Sequence, residues 1–220
     1  MISILIPIFN GIEFIDESVQ SVISQSYGEW ELLIGINGHP KNSPIYQKAK
    51  IYESMDSRIK VFDFPTIIGK PATLNELIKY CNYNYVSLLD VDDIWYNKKL
   101  EMQVPFLKNY HVIGTNFIYI GDINHPEPKI PLKDISNYDF TKMNPIINSS
   151  SITRKELCFW YDKNGIEDYD LWLRLKKKNC KFYNCPEILV KHRIHQNSAF
   201  NAKGNSNFVP DLLLEHRLNV

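Results

Sequence analysis

The chain has 220 residues, and its 25 Lys and Arg balance 25 Asp and Glu to a formal net charge of zero. That length supports one domain with a sizeable core, and the charge balance excludes the basic excess of a dedicated nucleic-acid surface. No apolar run approaches the roughly 20 residues that span a bilayer, so no transmembrane segment is expected.

Met1 leads into Ile2-Ser3-Ile4-Leu5-Ile6 without the basic start and cleavage site of a signal peptide, so a cytoplasmic location is expected. Residues 3–8 form a β-type run ended by the turn pair Asn10-Gly11. A helix follows, with Ile12, Ile15, Val19, Val22 and Ile23 at helical spacing. The pattern then predicts a strand at 30–37 closed by Asn37-Gly38, a polar helix at 45–55, a strand at 59–64 and a helix at 71–81 opened by Pro71. Val86-Ser87-Leu88-Leu89 is the fourth strand, apolar enough to be buried on both faces of a parallel sheet. Beyond it a helix is expected at 98–108, a strand at 111–119 and an irregular proline-bearing loop at 121–132. A strand at 146–153, a helix at 168–178 and short strands at 181–184 and 188–194 come next. The Asn-, Gly- and Ser-rich stretch 201–207 is expected to be mobile, and a last helix from near Pro210 carries Leu212, Leu213, Leu214 and Leu218. Cys81, Cys158, Cys180 and Cys185 form no C-x-x-C pair and are expected to be reduced and mostly buried.

Strands alternating with helices imply right-handed βαβ units. The expected fold is one α/β domain over 1–220, a Rossmann-like three-layer α/β/α with a mainly parallel central sheet. Neither G-x-G-x-x-G after the first strand nor G-x-x-x-x-G-K-[ST] is present, which excludes a dinucleotide dehydrogenase and a P-loop enzyme.

Candidate chemistry gathers in separate stretches. Asp90-Val91-Asp92-Asp93 stands at the carboxyl end of the fourth strand, where open α/β sheets bind ligands. Crowded carboxylates attract a cation, and hard oxygen donors suit Mg²⁺ or Mn²⁺; Asp93 reads instead as a cap or first-turn charge for a following helix. Glu167-Asp168 opens a helix after the Asn164-Gly165 turn, and Trp172 shares a face with Asp168, either supporting a sugar or belonging to the core. Lys70, at a helix start, offers a point charge to a phosphate. His192-Arg193-Ile194-His195 supplies cations near the end of a strand; taken alone, a solvated strand end explains it as well.

Together these stretches resemble the family 2 glycosyltransferases of the GT-A fold, over nearly the whole chain. Ile6-Pro7-Ile8-Phe9-Asn10 is similar to the family's opening strand end. Gln25-Ser26-Tyr27 with Trp30-Glu31-Leu32 matches its lead into the second strand. Leu89-Asp90-Val91-Asp92-Asp93-Ile94-Trp95 with Lys99-Leu100 resembles its D-x-D segment, Glu167-Asp168 with Leu171-Trp172-Leu173-Arg174 its base-bearing segment, and Arg193-Ile194-His195 its late Arg-x-His element.

The resemblance implies an inverting transferase that moves one sugar from a nucleotide-diphosphate donor, with a UDP-sugar the leading candidate, to a hydroxyl of a glycan, lipid-linked or protein acceptor. Asp168 would be the general base, with Glu167 beside it. Asp92, Asp90 and His195 would hold Mn²⁺ or Mg²⁺. Residues 1–110 would form the nucleotide-binding half, through Pro7, Phe9, Asn10, Glu13, Asn37, Lys70, Asn75, Asp90 and Val91, joined by Arg193. Residues 111–220 would form the acceptor-binding half, and Trp95, Trp172 and Asn148 would meet the sugar or acceptor. In two places the chain departs from the family: Asn37 stands where an aspartate usually accepts the uracil N3–H, and Ala72-Thr73-Leu74-Asn75 lacks the usual arginine. Other readings are an inactive, nucleotide- or carbohydrate-binding relative, a haloacid dehalogenase-type phosphohydrolase and a sugar nucleotidylyltransferase. The phosphohydrolase carries its aspartates after the first strand, and the nucleotidylyltransferase opens with a Gly-rich loop that is missing here.

Overall fold

A computed structural model describes residues 1–122, 126–195 and 205–218. Strands β1 (Ile2–Ile8), β2 (Trp30–Asn37), β3 (Ile59–Phe64) and β4 (Tyr85–Leu88) lie in the order β3-β2-β1-β4, all parallel. Helices α1 (Ile15–Ile23), α2 (Pro44–Lys50), α3 (Tyr52–Met55) and α4 (Lys70–Leu77) connect them. Successive strand residues face opposite sides, so both faces must be apolar. Ile4, Ile6, Ile34 and Ile36 pack with Ile15, Val19 and Val22 of α1, whereas Leu5 and Leu33 pack with Leu74 and Leu77 of α4.

The sheet continues past β4. β8 (Ile152–Arg154) pairs antiparallel with both β4 and β6 (Val112–Gly121), and β6 runs parallel to β9 (Phe182–Ile194). Two short strands, β5 (Ile94–Trp95) and β7 (Lys133–Asp134), add antiparallel to β9. One curled sheet thus runs through both halves, with its long ladders parallel. Helices α5 (Lys99–Gln103), α6 (Glu167–Lys177) and α7 (Val209–Leu218) complete the layers. Among the described residues no helix is long and apolar enough to cross a membrane. All four cysteines are buried and unpaired.

Several elements differ from the expected ones for local reasons. The helix at 98–108 stops as α-helix at Gln103, because Pro105 has no N–H to donate, and continues as a 3₁₀ turn at Val104–Phe106. The strand expected at 146–153 is mostly a 3₁₀ turn at Asn148–Ser150: the hydroxyls of Ser150 and Ser151 bond back to the carbonyls of Ile147 and Asn148 at 2.9 and 2.8 Å. The two strands expected at 181–184 and 188–194 are one strand with irregular register opposite Thr115 and Asn116, where Pro186 cannot join the ladder. The helix expected at 45–55 is split into α2 and α3, and α2 is capped by the Ser43 hydroxyl, which accepts from the Tyr46 N–H. No helix follows Asp93 directly, since β5 begins at Ile94, so the capping role expected of it is not observed. Of the stretch expected to be mobile, 201–204 lies outside the described residues, as do 123–125 of the proline-bearing loop; Asn205–Phe208 is a 3₁₀ turn.

Candidate active site

The carboxyl ends of β1, β2 and β4 open on one side of the sheet, and the loop after β4 carries Asp90 to Asp93. Gly11, just past β1, lies against this loop: a Cβ there would stand 2.9 Å from Cγ1 of Val91, and its φ of +84° is one that other residues rarely adopt. Asp90 is held by its backbone N–H, which donates to the Ser149 hydroxyl at 3.0 Å. Its carboxylate is 2.6 Å from the Lys70 ammonium and 3.4 Å from the Asn148 amide nitrogen. Asn148 is 7% exposed, and its amide oxygen has no hydrogen-bond partner among the described residues.

Asp92 and Asp93 meet the end of β9. Asp93 is fully buried, accepts the Arg193 backbone N–H at 2.8 Å and lies 3.0 Å from Nδ1 of His192. Burial by itself would raise its pKa, but His192, the Ser149 hydroxyl and the Arg193 N–H outweigh that and hold it below the ordinary value. Burial likewise disfavours the His192 imidazolium, yet the Asp93 carboxylate beside it lifts its pKa to about 9. Asp92 is pushed up to about 6 by burial and by the neighbouring Asp93 and Asp90. His195 sets Nε2 3.2 Å from the Asp92 carboxylate, with its ring tilted against Phe14.

The facing wall is the start of α6. Asn164 and Gly165 both adopt positive φ, 55° and 88°, which turns the chain sharply into the helix. Glu167, Asp168 and Asp170 occupy the first turn, where the helix dipole favours negative charge. Glu167 is 4% exposed and lies 3.4 Å from Lys70. Asp168 accepts the Tyr169 N–H at 2.7 Å and an Asn144 amide N–H at 3.1 Å. Burial and the adjacent Glu167 raise its pKa to about 6, against the lowering pull of Lys70. Although burial opposes its charge, Lys70 is held in the ammonium form by Asp90, Glu167 and Asp168. Asp170 faces away and pairs with Arg174 at 2.7 Å and His216 at 3.0 Å.

Asn37 ends β2 almost fully buried. Its amide nitrogen donates to the Ile8 carbonyl at 3.0 Å, which leaves the amide oxygen as the group without a partner among the described residues. Phe9 is 47% exposed and stacks on His39 with ring centres 5.0 Å apart. Pro7, Asn10 and Glu13 lie at the same strand end, the last two exposed.

The other expected contacts are engaged elsewhere. Asn75 spends both ends of its amide on the backbone of Trp160, at 2.7 and 3.0 Å, and serves the packing of α4. Trp172 is fully buried and donates to the Ile146 carbonyl at 3.0 Å, so it belongs to the core. Trp95 is 3% exposed, donates to the Ser149 carbonyl and packs on the buried side-chain nitrogen of Lys99, so it braces the loop rather than facing the cleft. Arg193 donates to the Asp92 carbonyl at 2.9 Å and to Glu17 at 3.0 Å, and packs over Phe14. Lys70 pairs with carboxylates. Ser149 and Asn144 are positioning groups that the sequence motifs did not single out, with the run Ser149-Ser150-Ser151 the available signal for the first; His192, named only as one of the cations near the end of a strand, is the partner of Asp93.

Among the described residues no group of three His, Cys, Asp or Glu side chains is close enough together to hold a metal. With Asp90 drawn to Lys70, the pair Asp92 and His195 remains.

The sequence model described as glycosyl transferase family 2 matches residues 3–179. The UDP-Glc:alpha-D-GlcNAc-diphosphoundecaprenol beta-1,3-glucosyltransferase WfgD of Escherichia coli is 30% identical over 213 residues, covering 92% of this chain and 81% of that protein. The O-antigen biosynthesis glycosyltransferase WbnJ of Escherichia coli is 27% identical over 210 residues, covering 90% and 82%. The crystal structure of S. aureus TarS 1–349 in complex with UDP shares the fold with a TM-score of 0.73 at 16% identity, covering all of this chain and 66% of that one. The mannosyltransferase PcManGT of Pyrobaculum calidifontis, in complex with GDP-Man and Mn²⁺, gives a TM-score of 0.68 at 12% identity, covering 98% and 62%. The chain thus spans slightly under two thirds of these two structural relatives.

Proposed function

From the fact that the chain belongs to glycosyl transferase family 2, a family of nucleotide-sugar-dependent transferases with the GT-A fold, we propose an inverting, single-addition enzyme that uses a UDP-sugar. One observation carries this reading: carboxylates from two separate segments, Asp90 after β4 and Glu167 at the start of α6, converge on Lys70 at 2.6 and 3.4 Å. That contact makes the loop after β4 and the start of α6 neighbouring walls of one cleft, and a single displacement sets the base on one side of the anomeric carbon and the leaving diphosphate on the other.

Asp168 takes the proton of the acceptor hydroxyl as its oxygen bonds to the anomeric carbon, and the bond to the diphosphate breaks on the opposite face. A positioned base of this kind contributes about 10² to 10⁴ in rate. Asp92 and His195, a carboxylate and an imidazole 3.2 Å apart, would be the residues that hold a divalent ion beside the donor. When bound, Mn²⁺ or Mg²⁺ would offset the charge growing on the departing diphosphate. The anchored amide nitrogen of Asn37 leaves its buried amide oxygen as the acceptor for the uracil N3–H, which reaches it only if the side chains that cover it give way. The chain works as one domain, with 1–110 serving the nucleotide and 111–220 the acceptor. The name of the Escherichia coli relative makes UDP-glucose and a lipid-linked glycan the first substrates to try.

Calorimetric titration with UDP, GDP and CDP tests the reading. UDP is expected to bind tightest and CDP weakest, because the cytosine ring nitrogen accepts rather than donates. Mn²⁺ should raise UDP affinity by roughly tenfold or more, and Asp92→Asn should cancel that gain. A UDP affinity indifferent to Mn²⁺ removes the metal from the scheme, and the absence of nucleotide binding removes the donor site.

A further inference from the structure

Resting on the transferase reading above, we propose that Lys70 is a positioning residue for the general base, a strut whose ammonium ties Asp90 of the donor loop to Glu167 of α6. A lysine at a helix start would be expected to meet the donor phosphates, but the geometry points elsewhere. Its ammonium nitrogen lies 2.6 Å from the Asp90 carboxylate and 3.4 Å from the Glu167 carboxylate. Its backbone is fixed: Lys70 opens α4, which buries Thr73, Leu74 and Leu77 and is clamped by Asn75 to Trp160, in the segment that leads into α6.

The electrostatics give the strut its purpose. Asp90, Glu167 and Asp168 bring three carboxylates into one partly buried space, and like charges so placed repel. Glu167 is 4% exposed, and among the described residues Lys70 is its cationic partner within 4.0 Å. Remove the ammonium and Glu167 becomes a buried carboxylate without a counter-charge, which is strongly destabilising where it sits. The first turn of α6 then shifts or Glu167 takes up a proton, and Asp168, its neighbour in sequence, moves with that turn. Donor binding, which uses β1, β2 and Asp92, is left largely alone.

A double-mutant cycle over Lys70→Met and Glu167→Gln tests this, read as UDP affinity by calorimetry, UDP release from UDP-glucose, and thermal unfolding. Lys70→Met should lower kcat by about 10²-fold, the scale of a misplaced base, while UDP affinity stays within about threefold. Adding Glu167→Gln should restore part of the lost kcat and of the melting temperature, because it removes the charge left unpaired; such coupling is expected of residues in contact. Lys70→Arg, which can still pair with both carboxylates, should keep kcat within about tenfold, and Lys70→Gln takes the place of the methionine variant in the cycle if that variant does not fold. The proposal is overturned if Lys70 variants lose UDP affinity at unchanged kcat, which makes Lys70 a phosphate contact, or if Glu167→Gln adds to Lys70→Met without relief, which shows that the two side chains are not coupled. Wild-type protein that binds no UDP would instead overturn the donor-site reading, a failure visible before any variant is made.

Discussion

Asp93 and Glu167 are both nearly inaccessible, at 0% and 4% exposure, yet their charges are met differently. Asp93 leans on an imidazole, His192, at the end of β9, and nearby Asp92 leans on His195. Glu167 and Asp90 lean on the ammonium of Lys70. His192, lifted to about 9 by Asp93, gives up its proton above the neutral range, whereas Lys70, held by carboxylates, stays charged beyond the ordinary lysine range. As pH rises, the wall that holds Asp93 therefore loses its counter-charge first, and the wall that bears the base keeps its own. A base that must keep one position gains from a partner that does not titrate.

The sharpest way to break this comparison is at the base itself. Asp168→Asn keeps the shape and one oxygen to accept the Tyr169 N–H, at the cost of the oxygen that accepts from Asn144, and removes the proton acceptor, so kcat should fall by about 10² to 10⁴ with UDP affinity retained. Single-turnover assays beside calorimetry check it, and retained turnover would take Asp168 out of the mechanism.

The next effect is on stability. Asp93→Asn leaves His192 facing a neutral amide, and breaking a buried pair costs about 3–5 kcal/mol. The sign of the pH dependence follows from the raised pKa of His192. Its stabilising contribution is complete below the unfolded value of 6.5 and is lost as pH rises through about 9. Denaturant unfolding of the wild type should therefore weaken across that window, while Asp93→Asn should be flatter there. No matching loss is expected from Lys70 in the same window, since its carboxylate neighbours keep it charged above the ordinary lysine range. Equal slopes for the two proteins would erase the distinction between the walls.

How much of this was legible in the sequence depends on the range of the interactions. The four parallel strands were readable because short apolar runs stand between turn signals, as Leu32-Leu33-Ile34 does in β2, all eight of whose residues are buried. The serine run before β8 and Pro186 within β9 misled the reading, since side chains that bond to their own backbone and a missing N–H override strand propensity. Asp90, Asp92, Glu167 and Asp168 were readable as candidates because each cluster, which capping could explain alone, stands with the other motifs in the order of one family. The job of Lys70 was not, since a lysine at a helix start looks the same whether it meets a phosphate or two carboxylates contributed by distant segments. Trp172 posed a similar choice, which its complete burial decides for the core.

The smallest effect is the most specific. Asp168, raised to about 6 by burial and Glu167, must be ionised to take a proton, so log kcat/KM should climb with pH below about 6 and level off above. At pH 7 only about a tenth of such a group is protonated, so the limb is invisible under ordinary assay conditions. Asp92 also titrates at about 6, and the two are separated by their causes. Lys70 lowers the Asp168 value and Glu167 raises it. Lys70→Met should therefore move the limb to higher pH and Glu167→Gln to lower pH, whereas Asp92 owes its shift to burial, Asp93 and Asp90 and would not follow either change. Opposite displacements from these two variants, measured as kcat/KM profiles at saturating Mn²⁺, would tie the limb to the base on the lysine-held wall. A limb that ignores both belongs to the histidine-held wall, and Asp92 would then be the group that sets the pH dependence.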